Sequence, residues 1–261
     1  MGIRQFQVDA FAERPFAGNP AAVCVLDEWL DDWLMQAIAA ENNLSETAFC
    51  VREEKRWRLR WFTPSCEVPL CGHATLATAH VLFTELGNDE AMLEFDTLGG
   101  RLVVRREAAL LAMDFPAWSA RAIAPPPELA AALGAAPEET LIANDYLLAV
   151  LADAAMVRRL APDYSLLAAL PQWGIVATAP GSGRHDFVSR FFAPAHGIPE
   201  DPVTGSAHCA LTPYWAARLG RPRMLGLQCS QRSGEVDCEL RGERVMLRGR
   251  AVTVIESVLR L

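Results

Sequence analysis

Lysine is almost absent from this sequence. Lys55 is the only one and lies among charged neighbours, so 23 of the 24 basic residues are arginine. An ATP-binding P-loop needs a lysine after its glycines, and Schiff-base or pyridoxal phosphate enzymes need a reactive lysine amine. The composition therefore excludes a P-loop ATPase and leaves almost no room for Schiff-base chemistry.

Long apolar runs and clusters of basic residues are also missing. No apolar segment reaches the ~18 residues that indicate a membrane span, and charged residues interrupt the first 26 positions. The formal net charge is −8, which gives no attraction to a phosphate backbone. We therefore expect a soluble, cytoplasmic protein with neither a nucleic-acid nor a membrane partner.

The cysteines do not form a recognisable framework. They number seven, an odd count, and no two are spaced as C-x-x-C. Free thiols in a reducing compartment fit this pattern better than disulfides do.

The remaining composition is that of a globular protein. Of the 261 residues, 51% are hydrophobic, which is enough to bury a full core. The turn-rich stretch 117–127 contains Pro125, Pro126 and Pro127 and is the best candidate for a linker. We place the domain boundary there, which gives halves of 1–118 and 119–250 and lets a last strand, about 251–261, return to the first half.

An internal repeat indicates that the two halves are similar. Phe62-Thr63-Pro64 precedes a loop ending at Gly72, and Phe192-Ala193-Pro194 precedes a loop ending at Gly205. In each copy a predicted helix follows, at 74–86 and 206–219, and a second glycine lies 15 residues after the first. The alternative is two unrelated strand-loop-helix segments in an alanine-rich chain. The repeat favours a duplicated α+β unit.

The helix starts could bind an anion. Gly72 and His73 begin one helix, and Gly205 and Ser206 begin the other. The free N–H groups and positive dipole at a helix N-terminus favour a carboxylate or phosphate. Ordinary capping by glycine and serine is the alternative for each helix alone.

Three side chains could move protons. Glu46 lies between a helix end and an apolar strand, where partial burial suits a general acid/base. His73 lies at a helix start, where the dipole favours neutral imidazole. Asp201 comes just before the second helix. A capping or solvated glutamate, and an Asp-Pro turn, are the structural alternatives.

Metal and thiol chemistry remain alternatives. Cys66, Cys71, His73 and His80 are zinc-type ligands, but their spacing matches no compact zinc motif. Cys71 and Cys209 lie near corresponding helix starts and could act as a pair of acid/base thiols, although they occupy different positions relative to their glycines. Buried structural cysteine is the expected role of both.

Several segments together resemble the PhzF-like family of phenazine biosynthesis. They run in order through nearly the whole chain: 8–11, 16–23, 43–49, 60–64, 70–77, 190–194, 200–208 and 228–230. The string Asp-Pro-Val-Thr-Gly-Ser-Ala-His at 201–208 is the most specific of them.

This resemblance implies a fold and an activity. The fold would be of the diaminopimelate epimerase type, α+β with two similar halves, each a mixed β-sheet wrapped around a central α-helix. The activity would be isomerisation of a dihydro-3-hydroxyanthranilate-like metabolite without cofactor or metal, in a cleft between the two halves of the chain. The resemblance also implies a homodimer. Because a family's fold and catalytic residues transfer better than its substrate, the metabolite itself stays open.

The resemblance also assigns roles to residues. Glu46 would be the general acid/base, with His73 and Asp201 as the other catalytic groups. The residues implied to bind the substrate are Asn19, Ser45, Gly72, His73, Gly205 and Ser206. Those at the helix starts, from Gly72 to His73 and from Gly205 to Ser206, would hold its carboxylate. A non-catalytic binding protein that retains the cleft, or an epimerase or racemase of amino acids, is the alternative function. A retained acid/base set favours the isomerase, because a binding module has no need of one.

Overall fold

The computed structural model describes residues 2–261, and the chain forms two compact units. The first contains the residues up to 114 together with 248–261, and the second contains residues 115–247. The boundaries expected from the sequence, at 118 and 250, lie slightly later in the chain. Within residues 2–261 no helix has the length and apolar character that a membrane span requires.

The first unit is a mixed sheet with helices packed on it. Its strands are β1 (Gly2–Ala10), β2 (Asn19–Leu26), β3 (Glu46–Glu53), β4 (Arg56–Phe62), β5 (Glu67–Val68), β6 (Met92–Thr97), β7 (Gly100–Glu107), β8 (Leu110–Pro116) and β18 (Ala251–Arg260). The pairs β1/β2, β3/β4 and β6/β7 are antiparallel, and the pairs β2/β3 and β4/β6 are parallel. At the ends of this series, β18 pairs with β1 and β8 pairs with β7, both antiparallel.

Helix α2 (Gly72–His80) is the central helix of this unit. Seven of its nine residues are buried, and it contacts β1, β2, β3 and β18. Alanine and threonine side chains on the helix allow such close approach to strands. Helix α1 (Asp32–Asn42) packs elsewhere on the unit, where Met35 and Ile38 join the core cluster that contains Phe49 and Phe62.

The α-helix expected over 74–86 is shorter than predicted. α2 begins at Gly72 and ends at His80, and Val81–Glu85 continue as a π-helical turn. In that turn the Phe83 carbonyl accepts a bond from Arg106 Nη2 at 3.3 Å, so a side chain from β7 bonds to the widened turn. A partner from a distant strand has no local sequence signal, and the expectation of a continuous α-helix was therefore wrong.

The second unit is also a mixed sheet. Its strands are β9 (Arg121–Ala122), β10 (Glu139–Ala143), β11 (Tyr146–Val150), β12 (Gly174–Pro180), β13 (Phe187–Ala193), β14 (Ile198–Asp201), β15 (Arg223–Gln228), β16 (Gly234–Arg241) and β17 (Arg244–Gly249), and its helices are α3 (Leu129–Leu133), α4 (Ala154–Arg159), α5 (Tyr164–Ala168) and α6 (Gly205–Leu219). β9 lies inside the stretch expected to be a linker, and it pairs with β10. That stretch is thus partly ordered in a sheet.

Helix α6 is the central helix of the second unit and starts at Gly205, close to the predicted 206. It contains Pro213, whose nitrogen cannot bond to the carbonyl of Cys209 four residues earlier. The backbone N–H of Trp118 donates to that carbonyl at 2.9 Å. A proline is tolerated inside this helix because a neighbouring segment replaces the missing donor.

The strand pairings of the two units follow the same series. In the second unit β10/β11, β12/β13 and β15/β16 are antiparallel, while β11/β12 and β13/β15 are parallel. A short strand precedes the central helix in both, β5 beside β4 and β14 beside β13. The α+β fold with two similar halves, predicted from the repeat and the family resemblance, is confirmed.

The repeat extends to an arginine in each unit. Arg60 on β4 forms a bidentate ion pair with Glu67 on β5, at 2.7 and 2.8 Å, and Arg190 on β13 pairs in the same way with Glu200 on β14. Each guanidinium also lies over a phenylalanine ring two residues further along its strand, at 5.2 and 5.0 Å. These arginines fix the short strand that leads into each central helix.

Candidate active site

Glu46 and His73 form a buried acid/base pair in the first unit. Glu46 is the first residue of β3, and His73 is the second residue of α2. Glu46 Oε2 lies 2.9 Å from His73 Nε2, and the two side chains are only 11% and 5% exposed. Parallel pairing of β2 with β3, and packing of α2 against both, bring together residues that are 27 positions apart.

Asn19 and Cys71 approach the other nitrogen of the imidazole. The Asn19 amide nitrogen lies 3.1 Å from His73 Nδ1, and Cys71 Sγ lies 3.6 Å from the same atom. When the amide donates to Nδ1 of a neutral imidazole, the ring hydrogen is on Nε2, the nitrogen that lies near Glu46. Asn19 thus selects the Nε2–H tautomer of the neutral imidazole, whereas in the charged form Nδ1 also carries a hydrogen and takes the amide oxygen of Asn19 as its partner.

The surroundings of His73 favour its charged form. Burial alone lowers the pKa of the imidazole, but the Cys71 sulfur and the Glu46 carboxylate raise it by more, so the pKa of His73 lies well above its ordinary value. Burial, with a smaller contribution from Glu46, raises the pKa of the Cys71 thiol to about 11. At neutral pH, Cys71 is therefore a thiol and not a thiolate.

The loop between β1 and β2 fixes the position of Asn19. The carboxylate of Asp9 accepts a bond from the backbone N–H of Phe16 at 2.7 Å. Gly18 has φ +63°, and a Cβ there would lie 2.1 Å from the carbonyl oxygen of Ala10. Only glycine fits this approach, so the sequence Gly18-Asn19 serves to place the amide beside His73.

Asp201 lies in the second unit at the end of β14. Its carboxylate accepts a bond from the hydroxyl of Thr204 at 2.5 Å. Gln228 holds the same loop: its oxygen accepts from Thr204 N at 2.9 Å, and its amide donates to the Asp201 carbonyl at 2.8 Å. No separate role for Gln228 was predicted, although its segment belongs to the family resemblance.

Ser206 lies at the start of α6 beside an aromatic cluster. Its hydroxyl lies 2.8 Å from the hydroxyl of Tyr146. Trp118, Trp173 and Phe191 surround the Tyr146 ring, with centroids at 5.1–5.7 Å. Tyr146 was not predicted as a site residue; its one signal in the sequence is the scarcity of tyrosine, which occurs three times in the chain.

Both central helices begin without a side-chain cap in the described part of the chain. Cys71 and Thr204 occupy the N-cap positions of α2 and α6, and neither makes a side-chain cap bond. The first N–H groups at Gly72 and Gly205 are thus available to an anionic group. Ser45 lies half-buried in the bend just before Glu46.

The possible metal ligands do not group as the sequence spacing suggested. Among residues 2–261 the one group of three potential ligands comprises Glu46, Cys71 and His73, within 4.8 Å of one another. His80 bonds to Thr253 instead, and Cys66 is exposed. The four-residue set of Cys66, Cys71, His73 and His80 considered from the sequence is therefore not assembled.

When the two units are aligned by their strand pairings, the position of Glu46 corresponds to a residue of a different type in the second unit. β2 and β3 align Ala21 with Glu46, and β11 and β12 align Tyr146 with Gly174. The registers of β3/β4 and β12/β13 give the same equivalence of Glu46 with Gly174. A Cβ at Gly174 would lie 2.4 Å from the ring of Phe191, so an aromatic side chain fills the space beside it. The carboxylate thus occurs in one half only.

The family of the chain follows from a family model and from relatives along its whole length. The model of the phenazine biosynthesis-like proteins, PhzC-PhzF, matches residues 8–257. The chain belongs to the PhzF-like family. An uncharacterized isomerase of Pseudomonas aeruginosa is 54% identical over 261 residues and covers all of both chains. The human phenazine biosynthesis-like domain-containing protein is 40% identical over 284 residues, covering 97% of this chain and 98% of its own.

Solved structures agree with the PhzF-like assignment. A PhzF family protein from Enterococcus faecalis superposes with a TM-score of 0.97 at 45% identity, covering all of both chains. A hydroxyproline epimerase from Agrobacterium vitis superposes with a TM-score of 0.62 at 11% identity, covering 99% of this chain and 92% of its own. The second likeness shows that the PhzF-like fold is shared with epimerases of amino acids, and it carries no further inference about activity.

Proposed function

We propose that this PhzF-like protein is a cofactor-independent isomerase that moves a proton along a small carboxylate-bearing metabolite, with Glu46 as the general acid/base. The observation that carries the proposal is the 2.9 Å contact between Glu46 and His73 in a buried site. Buried acid/base pairs are costly to maintain and are concentrated at catalytic sites.

The chemistry needs one group that both takes and returns a proton. A Glu46 oxygen removes a proton from a C–H bond of the substrate, which breaks that bond and forms O–H on the carboxyl group. The electron pair moves along the conjugated system, and the carboxylic acid returns the proton to a different carbon on the same face. No oxidant or second base is consumed.

His73 and Asn19 position the acid/base. His73 Nε2 lies 2.9 Å from a Glu46 carboxylate oxygen, and the Asn19 amide contacts the imidazole at Nδ1. Because both contacts are buried, the carboxylate keeps one orientation towards the substrate. His73 in its charged form also stabilises negative charge that develops on the substrate when the proton leaves.

The start of each central helix offers groups that suit a carboxylate. The N–H groups at Gly72 and Gly205 lack side-chain caps, and Ser206 adds a hydroxyl. Ser45 precedes the acid/base directly in the chain. That Asp201 acts on the same substrate as Glu46 remains a prediction.

The unequal halves support a single base. An epimerase that inverts a carbon centre needs two groups on opposite faces, whereas a shift on one face needs one. Gly174 occupies the position that Glu46 holds in the first half. Two-thiol chemistry is also disfavoured, because burial raises the pKa of both Cys71 and Cys209 and keeps them as neutral thiols.

The test is a deuterium wash-in experiment. The protein is incubated in deuterated water with dihydro-3-hydroxyanthranilate and with a panel of cyclic and linear amino acids, and product and exchanged C–H positions are followed by NMR. Glu46→Gln should lower the rate by at least about 100-fold, since general acid/base groups contribute that much. Glu53→Gln changes the exposed glutamate at the other end of β3 and should leave the rate unchanged.

Two results would contradict the proposal. Unchanged exchange in Glu46→Gln would remove Glu46 as the acid/base. Binding of a panel compound without product or exchange in the unaltered protein would favour the non-catalytic binding protein.

A further inference from the structure

A second pocket lies in the first unit, outside the Glu46–His73 site. Its volume is about 360 Å³, and its walls come from the end of α2, the π-helical turn, the β7–β8 hairpin and the segments 12–13 and 250–252. His80, on this wall, is seven residues after His73 on the same helix, or about 10 Å along the helix axis. The proposed reaction uses none of the residues that line this pocket.

Two guanidinium groups border the pocket. Arg106 lies 4.5 Å from the Phe83 ring centroid, and its Nη2 donates to the carbonyls of Phe83 and Asn88. These bonds use one of its three nitrogens and fix the direction of the group. Among residues 2–261, Arg250 has one ion pair, in which its Nε lies 3.3 Å from a Glu13 oxygen. Both arginines thus retain N–H groups for a ligand.

His80, on the pocket wall, brings neither a charge of its own nor the carboxylate of Glu85 into the pocket. The hydroxyl of Thr253 donates to Glu85 at 2.6 Å, so it accepts from His80 Nε2 at 3.1 Å. Burial lowers the pKa of His80, and the imidazole is neutral at pH 7. The Glu85 carboxylate is bound to Thr253 and does not line the pocket. The pocket wall therefore carries two positive charges, on Arg106 and Arg250, and one negative charge, on Glu13.

The other lining residues leave room for an apolar group. Alanines at 12, 108, 109 and 251 keep the pocket open, and Phe83, Leu110 and Val252 offer apolar surface. Ligand pockets combine apolar walls of this kind with a few convergent polar groups. Guanidinium groups are suited to oxyanions, which they bind through paired N–H donors.

We propose that this pocket binds a small oxyanion, a carboxylate or a phosphate, between Arg106 and Arg250. Glu13 occupies the anion's place at Arg250 when the pocket is empty. A bound ligand must therefore displace Glu13 from Arg250, and removal of the Glu13 charge should strengthen binding.

The experiment measures binding of butyrate and of inorganic phosphate by isothermal titration calorimetry at low ionic strength. Heat from butyrate assigns a carboxylate ligand, and heat from phosphate assigns a phosphate ligand. Arg250→Gln should weaken binding about tenfold or more, the loss expected for a charge-assisted hydrogen bond. Glu13→Gln should strengthen it. Arg105→Gln is the control, because Arg105 is the neighbour of Arg106 on β7 and does not line the pocket.

Arg106→Gln provides a second variant with the same expected loss, checked for folding because Arg106 also bonds to backbone carbonyls. Absence of heat with both probes would overturn the proposal. An unchanged affinity in Arg250→Gln, or an equal loss in Arg105→Gln, would overturn it as well, because the anion would then bind elsewhere or respond only to net charge.

Discussion

His208 is a fully buried histidine in α6 with one partnered nitrogen. Its Nδ1 donates to the carbonyl of Thr204 at 2.8 Å, whereas Nε2 has no hydrogen-bond partner among the described residues. Burial lowers the pKa of this imidazole to about 4. The folded protein thus holds a neutral histidine at the start of a central helix, where a proton on Nε2 would have no acceptor.

We expect His208 to make the protein sensitive to acid. The unfolded chain takes up the proton near pH 6.5 and the folded chain only near pH 4, so the unfolded state binds more protons in between and stability falls as the pH falls. The loss across this window is about 3 kcal/mol. Urea denaturation at about pH 7 and about pH 4.5, in the same buffer series, gives the free energy of unfolding at each pH. This free energy should change less between the two pH values in His208→Gln than in the unaltered protein.

The control for this prediction is His196→Gln, which changes an exposed histidine of the same unit and should keep the full dependence on pH. An NMR titration gives a second measurement if His208→Gln fails to fold. A His208 resonance that titrates near the ordinary histidine pKa would contradict the prediction.

At the scale of elements, two equivalent arginines fix the short strands: Arg60 fixes β5 and Arg190 fixes β14. Arg190 is the more buried of the two, with a side chain 10% exposed against 19% for Arg60. Arg190 Nη1 also donates to the carbonyls of Leu160 at 2.7 Å and Val157 at 3.4 Å. Arg60 instead contacts Asp32, which is 78% exposed. The same motif is therefore more deeply built into the second unit.

We expect Arg190→Gln to cost more stability than Arg60→Gln. Loss of Arg190 leaves Glu200 and two carbonyls without their donor in a buried site, which costs about 3 kcal/mol. Loss of Arg60 exposes its partners to water and costs about 1 kcal/mol. The two variants form a matched pair, and urea denaturation measures both. Equal losses, or a larger loss for Arg60→Gln, would contradict the stronger role of Arg190.

The sequence predicts most of the elements that surround the candidate site. The repeated Phe-x-Pro and glycine spacing indicates both central helices, and apolar runs predict β2, β3 and β4. The π-helical turn was missed because its partner, Arg106, is far away in sequence. Helix α4 was missed too, although Asp153 caps it by accepting from Met156 N and is a signal that the sequence contains.

The candidate site is less predictable than the elements. Glu46 and His73 could be named individually, but their contact depends on the register of β2 with β3. The Glu46–Gly174 equivalence depends on strand registers too, because the preceding loops differ in length and spacing alone cannot align them. Gln228 and Tyr146 act through contacts with Thr204 and Ser206 that only the folded chain provides.

At the scale of the whole molecule, the last strand and the residue after it expose several apolar side chains. None of the residues of β18 is buried; Ile255 and Val258 within the strand and Leu261 just after it are 48%, 61% and 52% exposed. Exposed apolar side chains that cluster on one element indicate an interaction surface. The homodimer that the family resemblance implies stays a prediction, and this strand is the element that we test as its interface.

We expect the protein to run as a homodimer, at twice the 28.6 kDa of the chain, in size-exclusion chromatography with light scattering. Val258→Lys should shift it towards the monomer, because a buried unpaired charge is unfavourable at an interface. Leu98→Lys is the control, since Leu98 is similarly exposed, at 63%, on another element. A monomer in the unaltered protein would exclude the homodimer.

The packing around Gly174 also constrains how the protein could evolve. A carboxylate at position 174 would give the second half its own base, but the Phe191 ring, 2.4 Å from where the Cβ would lie, leaves no room for it. Phe191 would have to become smaller first, and an intermediate with that cavity loses about 3–5 kcal/mol. Mutational paths from one base to two therefore pass through a destabilised ancestor, and selection for stability keeps the duplicated halves chemically different.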